Sequence, residues 1–104
     1  LDLAALPGLP DPAALAAITA VRGLGPWTAE VYLLFALGRM DVFPAGDVAL
    51  AGAAQHLLRL PARPDPRALR ALAGPWAPHR ALAARLLWHH WRHITGRPSV
   101  DELG

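Results

Sequence analysis

Ile18-Thr19-Ala20-Val21-Arg22-Gly23-Leu24-Gly25-Pro26-Trp27-Thr28-Ala29-Glu30 is the stretch that decides the architecture of this chain. Two glycines around one apolar residue, followed by proline, force a tight turn. Glycine adopts dihedrals closed to other residues, and proline favours the first position of a new helix. Upstream, Asp11-Pro12 places an N-cap residue before such a proline, which predicts a short helix to about Ala20 with Leu15 and Ile18 on one face. Downstream, a second helix is predicted to about Leu37, with Val31, Leu34 and Leu37 turned inward and Gly38 as its stop. Leu24 is expected to anchor the turn in the core. Residues about 11–37 therefore read as a helical hairpin.

Outward from the hairpin, Pro44 and Gly46 mark residues 38–47 as a loop, and Asp47 sits where an N-cap would sit. A helix rich in Ala, Val and Leu is predicted to about Leu58, where the prolines at 61, 64 and 66 break it. A short helix around Arg67 to Leu72 leads to Pro75, and the longest helix starts near Pro78 and ends before Gly96. The tail from Arg97 to Gly104 is expected to be a frayed end. Period-two alternation is absent and Ala and Leu oppose strands, so the fold class is all-α with five helices in one domain.

Composition narrows the chemistry further. The 104 residues contain no Cys, which excludes disulfides, cysteine-ligated zinc, iron–sulfur clusters and a catalytic thiol within them. The ten basic residues are all Arg, so lysine Schiff-base chemistry and the P-loop lysine are excluded as well. Carboxylate, His, hydroxyl and backbone groups remain. Ten Arg against eight Asp and Glu leave a net charge of only +2, a weak pointer to an anionic partner, because polyanion affinity follows local cation clusters. Apolar residues reach 54%, yet no run approaches the roughly 18 residues of a membrane span. The chain opens at Leu1 without a signal-peptide pattern, so we expect a piece of a longer protein in a compartment compatible with the cytoplasm.

A helix, a Gly-apolar-Gly turn and a second helix opening with proline can hold a phosphate. The glycines let backbone approach a phosphodiester, and the N–H groups from Gly25 to Thr28 point outward where the helix dipole favours an anion. Such a contact positions a duplex without reading its sequence. The same turn also serves an ordinary helical hairpin packed closely through its glycines, and the turn alone leaves both open.

Three motifs extend the argument. The hairpin sequence above resembles that of the helix-hairpin-helix DNA glycosylase superfamily, in the form carrying Trp-Thr-Ala after the turn. Asp41-Val42-Phe43-Pro44-Ala45-Gly46-Asp47 is similar to the family's loop leading to its catalytic aspartate, and Trp76-Ala77-Pro78-His79-Arg80 with Ala83 and Trp88 resembles its Trp-x-Pro-x-Arg helix. In this order the motifs span residues from about 11 to 93, and they most resemble the DNA-3-methyladenine glycosylase II branch. The resemblance implies the C-terminal portion of the glycosylase domain, with the hairpin at about 11–37, the catalytic loop at 38–47 and closing helices at 48–94.

The resemblance also implies roles. Asp47 matches the catalytic carboxylate, which can stabilise an oxocarbenium-like sugar and orient or deprotonate water; read from spacing alone it is a plain helix N-cap, and both roles can coexist. Strand-cleaving members carry Lys directly after the Gly-Pro step, where this chain carries Trp27, so a monofunctional hydrolysis of alkylated purines such as 3-methyladenine is implied. Trp27 and Trp88 match aromatic positions lining the base pocket, where a cationic base gains from stacking, while simple core filling is the alternative for each. Two further aromatic positions fall on Val31 and Val48, which implies a wider or less aromatic pocket.

At the hairpin, the implied DNA contacts are Arg22 and the amides of Gly23, Gly25 and Thr28, with carbonyls of Thr19, Val21 and Gly23 holding a monovalent cation such as sodium or potassium. No cofactor is implied for catalysis, and no protein partner or membrane; the implied partner is double-stranded DNA containing a damaged base. Asp41 and Arg80 are expected to be structural. His89 and His93 lie one helical turn apart, but no third ligand completes a zinc pattern, so they read as surface or packing residues. Without an upstream half of the domain the portion can be inactive alone, and a non-catalytic helix-hairpin-helix DNA-binding module is the alternative reading.

Overall fold

The computed structural model describes residues 1–103, and among them all regular structure is helical. Helix α1 spans Asp11–Thr19, α2 Pro26–Phe35, α3 Val48–Leu57, α4 Pro66–Ala73, α5 Arg80–Thr95 and α6 Val100–Leu103. Short 3-10 helices cover Leu3–Gly8 and Gly74–Trp76. None of the described helices is long and apolar enough to cross a membrane.

The chain packs around two apolar clusters that share α2. Leu33, Ile18, Ala14 and Leu6 fill one, with Leu24 packed against it as the hairpin turn requires. Leu34, Phe43, Leu50, Leu69, Leu87 and Trp88 fill the other. Neighbouring residues of one helix thus face different cores, because Leu33 and Leu34 are separated by about 100° around the helix axis. The hairpin turns at Gly23, whose φ of +92° lies in the region that favours glycine. A Cβ there would meet nothing within 4 Å, so the demand is conformational rather than spatial.

Several elements differ from expectation for identifiable reasons. Pro10 occupies the cap position of α1 and Asp11 is its first residue; the Asp11 carboxylate instead accepts from Arg39 Nη1 at 3.0 Å. Helix α2 ends at Phe35, two residues short of Leu37, and Gly38 lies in the following turn with φ of +62°. Pro78 precedes α5, which starts at Arg80.

The tail from Arg97 to Asp101 is not frayed, while Gly104, also expected to fray, lies outside the described residues. Arg92 Nη1 donates to Ser99 Oγ at 2.7 Å and pairs with the Asp101 carboxylate, while Val100 packs on the larger core. Burial pushes the Asp101 carboxyl up, but hydrogen bonds from Ser99 and Arg92 prevail and hold it below the usual range. Ser99-x-x-Glu102 is the sequence signal that marks this ending, since Ser followed three residues later by Glu is a helix-start signature.

Long-range polar links fix how the helices sit. Arg39 Nη2 lies within hydrogen-bond distance of the carbonyls of Leu6, Pro7 and Leu9, at 3.3, 3.2 and 2.7 Å, and so ties the N-terminal turn to the loop after α2. Asp41 accepts from Arg80 Nε at 2.8 Å, from its Nη2 at 2.7 Å and from its backbone N–H at 3.3 Å. These bonds lower the Asp41 pKa and give α5 an N-terminal acceptor borrowed from the loop. Asp41 and Arg80, each expected from the sequence to be structural, thereby pair with one another.

Candidate active site

Asp47 reaches its position through a loop that is itself part of the core. Val42, Phe43, Pro44 and Ala45 are all buried. The Ala45 N–H donates to the Phe43 carbonyl at 2.8 Å and the Asp47 N–H to that of Pro44 at 2.9 Å, closing two tight turns. A segment held in this way delivers Asp47 to the start of α3 with little freedom. There its Oδ1 caps the helix, accepting from the Leu50 N–H at 3.0 Å.

Two indoles complete the carboxylate's surroundings. Trp27 Nε1 donates to Oδ2 at 3.0 Å and Trp88 Nε1 to Oδ1 at 3.3 Å. Asp47 is 8% exposed. All its hydrogen-bond partners among the described residues are neutral N–H groups, and no cation pairs with it. Such a site keeps an anionic oxygen in place without neutralising it. Trp88 is fully buried and stacks on Phe35 with centroids 5.5 Å apart. Trp27 stays 39% exposed.

Two clefts meet at the carboxylate. One of about 400 Å³ is lined by Trp27, Asp47 and Val48 together with Pro98, Ser99 and Val100. The other, about 350 Å³, shares Gly46, Asp47 and Val48 and adds Arg63, Pro64 and Asp65. At the hairpin, Gly25 caps α2 without any side-chain bond, so the N–H groups of Trp27 and Thr28 have no partner inside the helix. The carbonyl of Val21 accepts from the Leu24 N–H at 3.1 Å and retains a second lone pair.

Known proteins are similar to this chain in sequence and fold. No family model matches the chain. YfjP of Bacillus subtilis (strain 168), provisionally named a DNA-3-methyladenine glycosylase, is 33% identical over 88 residues, covering 85% of this chain and 31% of its own length. The structure of the Schizosaccharomyces pombe 3-methyladenine DNA glycosylase Mag1 in complex with abasic DNA superposes with a TM-score of 0.74 at 30% identity, over 88% of this chain and 46% of that one. A DNA-3-methyladenine glycosidase from Bacillus halodurans gives a TM-score of 0.77 at 34% identity, over 99% of this chain and 48% of that one. The chain belongs to the helix-hairpin-helix DNA glycosylase superfamily. It spans about a third of the length of the curated relative and under half of each solved chain.

On this glycosylase scaffold the expected site residues fall into four places. Asp47, Trp27 and Val48 come together at the larger cleft. Trp88 touches the same carboxylate, but its ring lies inside the core against Phe35 instead of facing a cleft. Val31, one turn beyond Trp27 on α2, is half-buried and lines neither cleft. Arg22, Gly23, Gly25, Thr28 and Thr19 are exposed on the hairpin, and Val21 is half-buried there. The Thr19 hydroxyl donates to the Leu15 carbonyl at 2.8 Å, which turns its proton back toward α1.

Sequence reasoning missed Pro98–Val100 in the lining of the larger cleft and Arg63 in that of the smaller. It also missed that His90, not His89 or His93, meets another imidazole. His56 Nδ1 and His90 Nε2 lie 2.9 Å apart. Burial first, and then the neighbouring histidines, lower the His90 pKa. Among the described residues no group of three or more His, Asp or Glu could hold a metal ion.

Proposed function

We propose that this chain carries the catalytic portion of a cytoplasmic, monofunctional DNA glycosylase of base excision repair, acting on alkylated purines such as 3-methyladenine in duplex DNA. The observation that carries this reading is Asp47, an uncountered carboxylate held by three N–H donors at the meeting point of two clefts. An alkylated purine already bears positive charge. When its C1′–N bond breaks, the electron pair leaves with the base, which becomes neutral, and positive charge passes to the sugar. The Asp47 carboxylate stabilises that charge, which an ion pair with Arg would have cancelled. Water then adds to C1′ and its proton passes to Asp47, leaving an abasic site and the free base.

The partly exposed indole of Trp27 offers a stacking face for a flipped, cationic base, a contact of about 0.5–2 kcal/mol. Trp88 serves as a positioning residue, through its hydrogen bond to Oδ1. Absence of Lys from the chain agrees with a water nucleophile and with no strand cleavage. On the hairpin, Arg22 and the amides of Gly23, Gly25 and Thr28 would meet a DNA phosphate, a reading supported by their exposure. The carbonyl oxygens of Thr19, Val21 and Gly23 form a hard donor set suited to sodium or potassium. When bound, such an ion would supply positive charge beside a DNA phosphate and take no part in bond breaking.

The test is release of methylated adenine from alkylated duplex DNA by the full-length protein. Asn caps helices as well as Asp does, so Asp47→Asn preserves the start of α3 while removing the charge. We expect turnover to fall by about 10²–10⁴-fold in a protein that stays folded with a modestly lowered melting temperature, since the Asn amide nitrogen cannot accept from Trp27 Nε1 as Oδ2 does. Undiminished turnover in Asp47→Asn overturns the assignment. Duplex binding without base release by the wild type favours a DNA-binding module instead.

A further inference from the structure

Residues 97–101 have no part in the chemistry above, yet they lie against it. Gly96 reverses the chain after α5 with φ of +69°. The segment returns to place Pro98, Ser99 and Val100 in the lining of the cleft that holds Trp27 and Asp47. It is tied down there from several directions. Arg92 donates to Ser99 Oγ and pairs with Asp101, Ser99 Oγ donates to the Asp101 carboxylate, and Val100 packs on the core shared by α3 and α5. Ser99 is only 5% exposed.

A cleft lined by a loose tail would widen to suit its ligand, whereas one lined by a pinned segment rejects what does not fit. The positions the glycosylase resemblance marks as aromatic are Val31 and Val48 here. Neither narrows the cleft as an aromatic ring would, and the Val31 side chain does not reach it. Among the described residues, the apolar surfaces that face Trp27 and Val48 across this cleft from another part of the chain are Pro98 and Val100.

We infer that Pro98–Val100 form the fixed wall that selects which purines enter the base cleft, with Arg92 and Asp101 as positioning residues that hold it. The ligand class follows from the lining: a flat base that meets apolar surface from Val48, Pro98 and Val100, an indole from Trp27 and a carboxylate from Asp47. This inference rests on the glycosylase reading, and its test separates the two.

The experiment compares kcat/KM of the full-length protein on duplexes carrying either 3-methyladenine or an etheno-bridged, three-ring adenine, and measures Kd for an abasic-site duplex alongside. Val100→Ala widens the cleft and raises the ratio of three-ring to two-ring activity by about tenfold; Val100→Phe lowers it by a similar factor. Asp101→Asn loosens the wall and moves the ratio in the same direction as Val100→Ala. Affinity for the abasic duplex, which presents no base, stays unchanged in all three variants. A merely structural role would depress every substrate together and could not move the ratio in opposite directions. No base release by the wild type from either duplex overturns the glycosylase reading itself. An active wild type whose ratio stays fixed in both Val100 variants overturns the wall alone, an unmoved ratio in Asp101→Asn overturns its latch, and a Kd that changes in step with the ratio overturns both.

Discussion

Two carboxylates of this chain are taken out of water and compensated in opposite ways. Asp47 receives neutral N–H donors, whereas Glu30, 4% exposed on α2, receives the guanidinium of Arg70 on α4 through two contacts of 3.2 Å. Burial nevertheless dominates and raises the Glu30 pKa above its ordinary 4.5 despite the pull of Arg70. The folded state therefore binds this proton more tightly than the unfolded chain. The Glu30 contribution to stability is fully present below the ordinary carboxylate value and is lost as pH rises through the raised one. Glu30→Gln removes this dependence, so wild type should lose stability relative to that variant as pH climbs from about 4.5 toward neutrality, read by denaturant midpoints across pH. Arg70→Ala leaves the carboxylate buried without its partner and should cost about 1–3 kcal/mol at neutral pH, with the cost shrinking at acid pH as Glu30 takes up its proton. An equal cost at both ends of the range would show that the charge of Glu30 is irrelevant.

At the scale of elements, the placement of Asp47 at the start of α3 depends on how closely α3 meets α5. Gly52 sits on α3 where a Cβ would stand 2.4 Å from Cζ3 of Trp91, far inside contact distance. Substituting Ala should therefore destabilise the protein by about 1–3 kcal/mol, although Ala is the better helix former. A pairing of Gly52→Ala with Trp91→Leu should recover part of that loss in thermal melts; full additivity of the two changes would show that the ring is not what excludes the methyl.

Nothing in Val48–Leu57 announces this contact, since a glycine among alanines reads as a weak point of the helix. Punctuation by Pro and Gly was enough to place α1 to α5 within a few residues, though not α6, and the capping role of Asp47 follows from its position ahead of α3. Pairings such as Glu30 with Arg70 or His56 with His90 were not legible. Periodicity assigns a residue to a helix face but does not say which other helix will cross it.

For the whole molecule, the same distinction holds for the candidate site. The position of Asp47 could be read from motifs, because loop and helix start are local features. Its cleft could not, because Pro98–Val100 arrive from the far end of α5 by a reversal and a set of polar ties that span the tail. Likewise, the burial of Trp88 depends on Phe35, contributed by a different helix. Leu33 and Leu34, both essentially inaccessible, join the two cores through one helix. Replacing either by Ala should cost about 2–5 kcal/mol and lower one shared melting transition, not uncouple two. Two separated transitions in either variant would show that the cores melt independently. Since neither core can open without disturbing α2, native-state hydrogen exchange should find its central amides among the slowest in the protein, exchanging only through complete unfolding, and the hairpin and the carboxylate-bearing half should behave as a single cooperative unit.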